Sequence, residues 1–393
     1  MKFFSRKKAW ITLRQEIVDG TYDYSEQVKE RYSRYKQALA DNADIVRVFD
    51  VLEGKEKDEI IKWFSQNADT FDPSTCIVYT DDGHTLDALK ERHPRLIFNV
   101  RGMSHIRHLN TFLNKANEVL EKDGYLICHS RTSGLKRDII MKTRPGWTGK
   151  VVYALHFLWH RGMARMKWTR WFYMKVTEGK DRSYTRVELL GRMYRAGFEV
   201  LGDLFVGGDF FMLAHKIKPP VWEDDPSNGI FVKLLRVGYK GNLIGVYKFR
   251  TMYPYSEYLQ PYMLEHWGLD DGGKFANDYR VNPFGRKIRG TWIDELPMLV
   301  NFFKGQLKLV GVRPLSRSYF ALYTPEMQAL RIQVKPGLMP PFYYERETPV
   351  TLEDVQASER RYIEAYLKHP FATDWRYFWG ILGNIVFKHK RSH

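Results

Sequence analysis

Asp294 and Glu295 stand side by side in the run Thr291-Trp292-Ile293-Asp294-Glu295-Leu296-Pro297, with cations gathered on both sides of them in the chain. Paired carboxylates can ligate a divalent metal, and one ionised carboxylate can act as a nucleophile at phosphorus. An acid at a helix start is most often only a cap, so its neighbours decide the reading. Upstream lie Lys248-Phe249-Arg250-Thr251-Met252, then Arg280 and Gly285-Arg286-Lys287-Ile288-Arg289; downstream lies Gly311-Val312-Arg313-Pro314. Planar guanidinium forks suit phosphate oxygens, which makes Arg289 and Arg313 the leading candidates for gripping a phosphorylated substrate. Lys248, Arg250 and Arg280 stand behind them, and Arg286 and Lys287 read as surface charges. Mg²⁺ held by Glu295 and Asp294 and shared with phosphate oxygens would offset the charge of such a substrate.

These side chains need a frame. The acid pair reads as the start of a short amphipathic helix: Asp294 as its N-cap, Pro297 in the first turn, Gly305 closing it after Lys304. Free N–H groups and the helix dipole at that end would favour ionised carboxylates. Val246 to Met252 reads as a strand after a turn at Lys240-Gly241-Asn242, and Lys335-Pro336-Gly337 as a Pro-Gly turn.

The rest of the chain has a different texture. With 393 residues, two or three domains are expected. Residues 1–75 read as helical and charged. From Cys76 short apolar strands alternate with helical stretches: CIVYT, helical TLDALKERH, Leu96 to Val100, a long helix from His105 closed by Gly124, and YLICHS. A helix ending near Gly197 and two strands joined at Gly207-Gly208 come next. Alternation of this kind predicts an α/β layer with a largely parallel sheet over 76–217. Residues 218–226 read as a linker, and 227–393 as a second domain. Cys76 and Cys128 lie in apolar strands and read as reduced, favouring a cytosolic environment.

A formal charge of +16 and an aromatic fraction of 15% suit an anionic partner. No acidic residue occurs between Asp138 and Glu178, an interval rich in arginine, lysine and tryptophan. We read 139–177 as an interfacial membrane segment carried by Trp159, Trp168, Trp171, Arg165 and Lys167, with Trp379 in a second such segment near the C-terminus. An anionic membrane surface is therefore an expected partner; nucleic acid is not, because no recognition module accompanies the charge. His156 and His160, four apart, could share a face, but no third ligand stands at zinc spacing. His105 and His108 fare no better. The start MKFFSRKKAW lacks the apolar core of a secretion signal, and no apolar run approaches the roughly 20 residues of a membrane span.

Taken in order, the motifs from Arg236 to Leu338 closely resemble the bacterial sugar transferase family, the monotopic polyprenyl-phosphate phosphoglycosyl transferases. The resemblance covers roughly 227–340 and implies a mainly helical α+β catalytic domain. It also implies a reaction: Asp294 attacks a nucleotide diphosphate sugar at phosphorus, and the phosphosugar it then carries passes to a polyprenyl (undecaprenyl) phosphate. Glu295 would help hold Mg²⁺ and manage the acceptor's protonation. The implied role is to initiate capsule, exopolysaccharide or O-antigen synthesis at the cytoplasmic face of a bacterial inner membrane, as a peripheral or monotopic protein. The alternative is a non-catalytic donor- or lipid-binding scaffold of a glycan assembly complex. Three departures from the family pattern stand out: Gln306 replaces an acid, Val312 replaces a proline while PGLMPPFYYE differs from the family's continuation, and no Ser-Pro-broken hydrophobic helix precedes the motifs. In its place, residues 76–217 resemble the second half of a Rossmann-like class I SAM-dependent methyltransferase. The Gly-x-Gly loop that would approach the cofactor is missing, which argues against methyl transfer.

Overall fold

Short apolar runs bounded by turn residues supply the strands, and amphipathic stretches the helices, of a mixed α/β chain. The computed structural model describes residues 25–52, 57–206, 208–222, 229–259, 278–345 and 351–388. They fall into two compact units, one within Met1–Asn228 and Tyr253–His266, the other within Gly229–Met252 and Trp267–His393.

In the first unit, helices α1 (Ser25–Asp41), α2 (Ala43–Leu52) and α3 (Lys57–Gln66) precede a five-stranded sheet. Its strands are β1 (Thr75–Val78), β2 (Leu96–Asn99), β3 (Tyr125–Ser130), β4 (Phe198–Val206) and β5 (Asp209–Lys216), in the order β1-β2-β3-β5-β4. The first three run parallel; β5 is antiparallel to both β3 and β4, so the sheet is mixed. Both faces of β2 are covered, as the period-2 alternation of strand side chains allows. Leu96 and Phe98 join a core built with Ile45, Val48 and Leu52 of α2, while Ile97 joins Phe112 and Ala116 of α4 (Leu109–Val119). Cys76 and Cys128 are free and buried, as their apolar setting predicts.

Two helical expectations change. Residues 83–89 form a 3₁₀ stretch, Gly83–Leu89, started by Asp82 accepting from the His84 N–H at 3.0 Å. The helix expected from His105 to Gly124 is only α4, because Leu120 turns extended with its side chain in the core. Gly124 belongs to the next turn, donating to the Glu121 carbonyl at 3.2 Å.

The basic stretch folds as α5 (Ser133–Thr143), α6 (Trp147–Phe157), a π-helical turn Leu158–Met163, and α7 (Lys167–Thr177). Then α8 (Arg186–Arg195) leads into the β4–β5 hairpin, which turns through Gly208 at φ +81°. The expected linker is fastened at its start: Val221 donates to Arg195 O at 3.0 Å and Trp222 to Glu118 at 3.0 Å. Its remainder, 223–226, lies outside the described residues. The expected second domain is interrupted, because the chain revisits the first unit around Tyr255, whose carbonyl would lie 2.2 Å from a Cβ on Gly191.

The second unit is built on the β6 (Phe231–Val237) and β7 (Leu243–Phe249) hairpin, with seven registered pairs. α9 (Pro283–Arg289) starts at Asn282, whose side chain accepts from Gly285 N at 2.7 Å. Gly285 is required there, since a Cβ would sit 2.1 Å from the Thr251 carbonyl. A 3₁₀ segment, Ile293–Met298, runs into α10 (Leu299–Phe303). β8 (Lys308–Val310) and β9 (Gly337–Met339) pair in parallel so closely that a Cβ on Gly337 would lie 2.2 Å from Gly311 N. This approach is why both motifs carry glycine. Helices α11 (Arg317–Phe320), α12 (Pro325–Arg331), α13 (Leu352–Lys368) and α14 (Pro370–Lys388) complete the unit, with Tyr362, Tyr377 and Ile381 in the core. A capping box between Thr351 and Asp354 starts α13.

Candidate active site

The acid pair is presented by the 3₁₀ segment, not by a helix that Asp294 caps. Trp292 holds the N-cap position at φ +62°, a left-handed conformation that a bulky residue adopts at a cost of about 1–3 kcal/mol. Its ring packs on Tyr343 at 4.6 Å, which helps hold it there. Gly305, at φ +68°, closes α10 as its sequence position predicts, its N–H donating to Phe302 O at 2.8 Å. Asn301, fully buried, ties this segment to β7: it accepts from Tyr247 N at 3.0 Å and donates to Gly245 O at 2.8 Å. It also donates to Gln306 Oε1 at 2.7 Å, so Gln306 serves as a structural acceptor. An asparagine set between apolar residues, Leu299-Val300-Asn301-Phe302-Phe303, was the sequence signal for this anchor.

Asp294 is buried and Glu295 half-buried. Burial raises the Asp294 carboxyl above its ordinary value; Lys248 and Arg289 offset this only in part, and Glu295 adds to the rise. Desolvation thus outweighs the favourable helix-end effect expected from sequence. Glu295 Oε1 accepts from Lys248 Nζ at 2.6 Å, an ion pair in which both side chains are largely buried. Burial lowers the Lys248 pKa, Glu295 opposes the shift, and Arg313 reinforces it.

The five candidate cations divide. Lys248 bonds Glu295 directly and acts on Asp294 electrostatically. Arg289 is lowered by burial, with Asp294 acting against that shift, and its Nε donates to Thr251 Oγ1 at 2.8 Å. Arg313 is half-buried, felt electrostatically by both Lys248 and Arg289, and has no ion pair among the described residues. Arg280 does not fit the role assigned from sequence: Asp278 takes its Nε at 2.8 Å and its Nη2 at 2.7 Å, a fork already filled by a carboxylate. Arg250 donates its Nε to Gly229 O at 2.9 Å, at the end of the hairpin. Lys248, Arg289 and Arg313 therefore form the group around Asp294 and Glu295.

Residues 198–387 match the family model described as bacterial sugar transferase. Over these residues the chain is similar to that family. The sugar transferase region is 41% identical over 109 residues to the uncharacterized sugar transferase EpsL of Bacillus subtilis, covering 28% of this chain and 48% of that protein. It is 36% identical over 110 residues to the undecaprenyl-phosphate galactose phosphotransferase of Salmonella typhimurium, covering 26% and 22%. Against the exopolysaccharide production protein ExoY of Rhizobium meliloti it is 27% identical over 162 residues, covering 39% and 69%. The matched part thus spans about half the length of EpsL and about a fifth of the Salmonella protein.

Within the sugar transferase region, one apolar feature escaped the sequence reading. Ile293, Leu296, Leu299, Val300 and Phe303 are all exposed, Phe303 at 82%. Steps of three in the 3₁₀ turn and of three or four in α10 keep them on one face, opposite buried Asp294, Met298 and Asn301. A second ridge, Phe371, Trp375 and Trp379, runs along α14 at steps of four. It includes the predicted Trp379. Among the described residues no helix is long and apolar enough to cross a membrane.

The membrane candidates of the first unit separate likewise. Trp168 and Trp171 are exposed at 82% and 69%. Trp159 is half-buried against Phe172 and Tyr173. Arg165 turns inward to Glu188 at 3.4 Å and is no surface anchor, because a buried carboxylate outcompetes solvent for it. The Lys167 side chain lies outside the described residues.

For a metal, Asp294 and Glu295 offer two adjacent hard oxygen donors, the kind Mg²⁺ takes alongside water and phosphate oxygens. No group of three or more His, Cys, Asp or Glu gathers among the described residues, so this pair would supply the protein's share.

Proposed function

We propose that this chain is an initiating phosphoglycosyl transferase. It moves a phosphosugar from a nucleotide diphosphate sugar to undecaprenyl phosphate at the cytoplasmic face of a bacterial inner membrane, for exopolysaccharide or capsule synthesis. The observation that carries the reading is the acid pair, buried Asp294 and half-buried Glu295, with Lys248, Arg289 and Arg313 around it, on a segment whose other face is an exposed apolar stripe.

In the first step an Asp294 carboxylate oxygen bonds to the sugar-bearing phosphorus as the P–O bond to the nucleoside monophosphate breaks, and that monophosphate leaves. In the second, an oxygen of undecaprenyl phosphate bonds to the same phosphorus and the Asp294–phosphorus bond breaks, restoring the carboxylate. Arg289 and Arg313 hold phosphate oxygens by paired N–H donation. Lys248 fixes Glu295, so the pair does not repel a nucleophilic Asp294 at full strength. Mg²⁺ bound by Asp294 and Glu295 would supply charge neutralisation at the phosphates. The stripe Ile293, Leu296, Leu299, Val300 and Phe303 gives the acceptor's prenyl chain an apolar approach. Trp168, Trp171 and the Trp375–Trp379 ridge suit the headgroup layer.

The first unit reads as a methyltransferase-like sheet without methyl transfer, supported by an antiparallel last strand inserted beside three parallel ones. Nucleoside monophosphate release by the full chain, with Mg²⁺, undecaprenyl phosphate and a panel of nucleotide diphosphate sugars, tests the activity. Asp294→Asn should lose it. A chain inert to every donor that still binds them would instead be the scaffold.

A further inference from the structure

The first unit contains a recess of about 350 Å³, counting space open to solvent, between the π turn, α7 and the start of α8. Five guanidinium groups line it, those of Arg161, Arg165, Arg170, Arg182 and Arg192, against a single carboxylate, Glu188. Glu188 is buried and already saturated: Oε2 meets Arg161 at 3.1 Å and Arg165 at 3.4 Å, while Oε1 meets Arg192 at 3.1 Å. Burial alone would raise its carboxyl, but Arg165, Arg161 and Arg192 hold it down at about 2. One negative charge is thus fully spent, and positive charge is left over.

Three residues that line the recess also carry donors with no partner. Arg192 is only 6% exposed, and its Nε has no hydrogen-bond partner; the Nε of Arg182 is likewise buried and unpaired. Tyr184, exposed at 3%, lies between these two guanidinium groups at 5.5 and 5.0 Å, and its hydroxyl also lacks a partner. Arg170, on the exposed side, has no ion pair among the described residues. Buried donors are almost always satisfied, and water would satisfy them without offsetting the charge. An anion with several acceptor oxygens does both.

We infer that this recess binds a phosphate group, either a soluble phosphate ester or a lipid headgroup, through Arg170, Arg182, Tyr184 and Arg192. Its residues belong to the first unit and Asp294 to the second, and the inference stands or falls independently of the transferase reading. Arg170 lies between exposed Trp168 and Trp171 on α7, which puts both sources within chemical reach.

Hydrogen exchange of the full chain, read peptide by peptide, tests this with three probes: sodium pyrophosphate, phosphatidylcholine vesicles, and the same vesicles containing phosphatidic acid. Pyrophosphate or phosphatidic acid should protect peptides covering 158–170 and 182–192. Arg170→Gln, a surface change, should weaken that protection about tenfold, the effect of one charge-assisted phosphate contact. Tyr184→Phe, which removes only a hydroxyl, should weaken it less. Arg313→Gln should leave it unchanged. Protection by pyrophosphate alone assigns a soluble ester, and protection by phosphatidic acid vesicles but not phosphatidylcholine alone assigns a headgroup. No protection by any probe, or protection indifferent to both Arg170→Gln and Tyr184→Phe, overturns the inference.

Discussion

Glu188 in the first unit and Asp294 in the second are both buried carboxylates among cations, yet their electrostatic balances are opposite. Three arginines in direct contact hold Glu188 ionised far below the ordinary range. Asp294 has the nearest lysine committed to its neighbour Glu295, and burial keeps its carboxyl raised. The contrast teaches that cation count alone does not distinguish a structural acid from a reactive one. What matters is whether the donors are spent on that acid or left aimed at an incoming group. Glu188 is neutralised by the fold; Asp294, in the proposed reaction, is left for a substrate to complete.

Removing each charge should break this comparison most visibly. Asp294→Asn is expected to cost at least about a thousandfold in nucleoside monophosphate release, the scale of losing a covalent nucleophile. Its thermal stability should hold or rise, since the change removes a desolvated charge. Glu188→Gln should do the reverse, destabilising the first unit by about 3–5 kcal/mol because three guanidinium groups lose their buried counter-charge. Denaturant melts of both variants check the pair, and equal stability losses would dissolve the distinction.

pH sharpens it further. The Glu188 pKa is depressed in the fold, so its stabilisation is complete above about 4.5 and is lost as pH falls toward about 2. The Asp294 pKa is raised, so its contribution is present below the ordinary value of 3.8 and lost as pH rises through the folded value. Acidification should therefore loosen α8 while favouring the 293–303 segment, measurable as opposite trends in hydrogen exchange after correction for intrinsic rates. For activity, kcat/KM should rise with pH through a limb lying above the ordinary aspartate range.

Smaller effects concern the gripping groups. Arg313→Lys keeps the charge but loses the fork, and about a tenfold fall in kcat/KM, near 1.4 kcal/mol, is expected in steady-state assays with donor varied. Phe303→Ser should raise the apparent KM for undecaprenyl phosphate a few-fold and leave kcat nearly unchanged, since it removes apolar contact far from the reacting atoms. An effect on kcat instead would argue against the stripe as an approach for the prenyl chain.

Much of this was legible in the chain. Apolar runs at 75–78, 96–99 and 125–130 declared their strands, because burial on both faces needs continuous hydrophobicity. The acid pair and Gly305 declared their segment, though not its 3₁₀ geometry, which follows Trp292 in a left-handed conformation that no propensity predicts. Arg280 was misread because Asp278, two residues away, claims it through the local turn. Arg165 was misread for a longer-range reason: its partner Glu188 is 23 residues on, and only the packing of α8 against the π turn joins them. The exposed stripe was hidden because its steps of three and four read as the core-facing side of an amphipathic helix, whereas in the fold that side is exposed.

The π turn at Leu158–Met163 has a consequence for how this chain tolerates insertions and deletions. A π turn holds one residue more than the α turn it interrupts, so the segment behaves as a stored extra residue. Deleting one residue there would remove the bulge and let α6 continue as regular helix, with the loss absorbed in the turn itself. Arg161 lies within that turn, so its reach to Glu188 is what the deletion would disturb. A lineage that lost this single codon would keep the composition of its basic stretch and forfeit the alignment that gives the recess its charge.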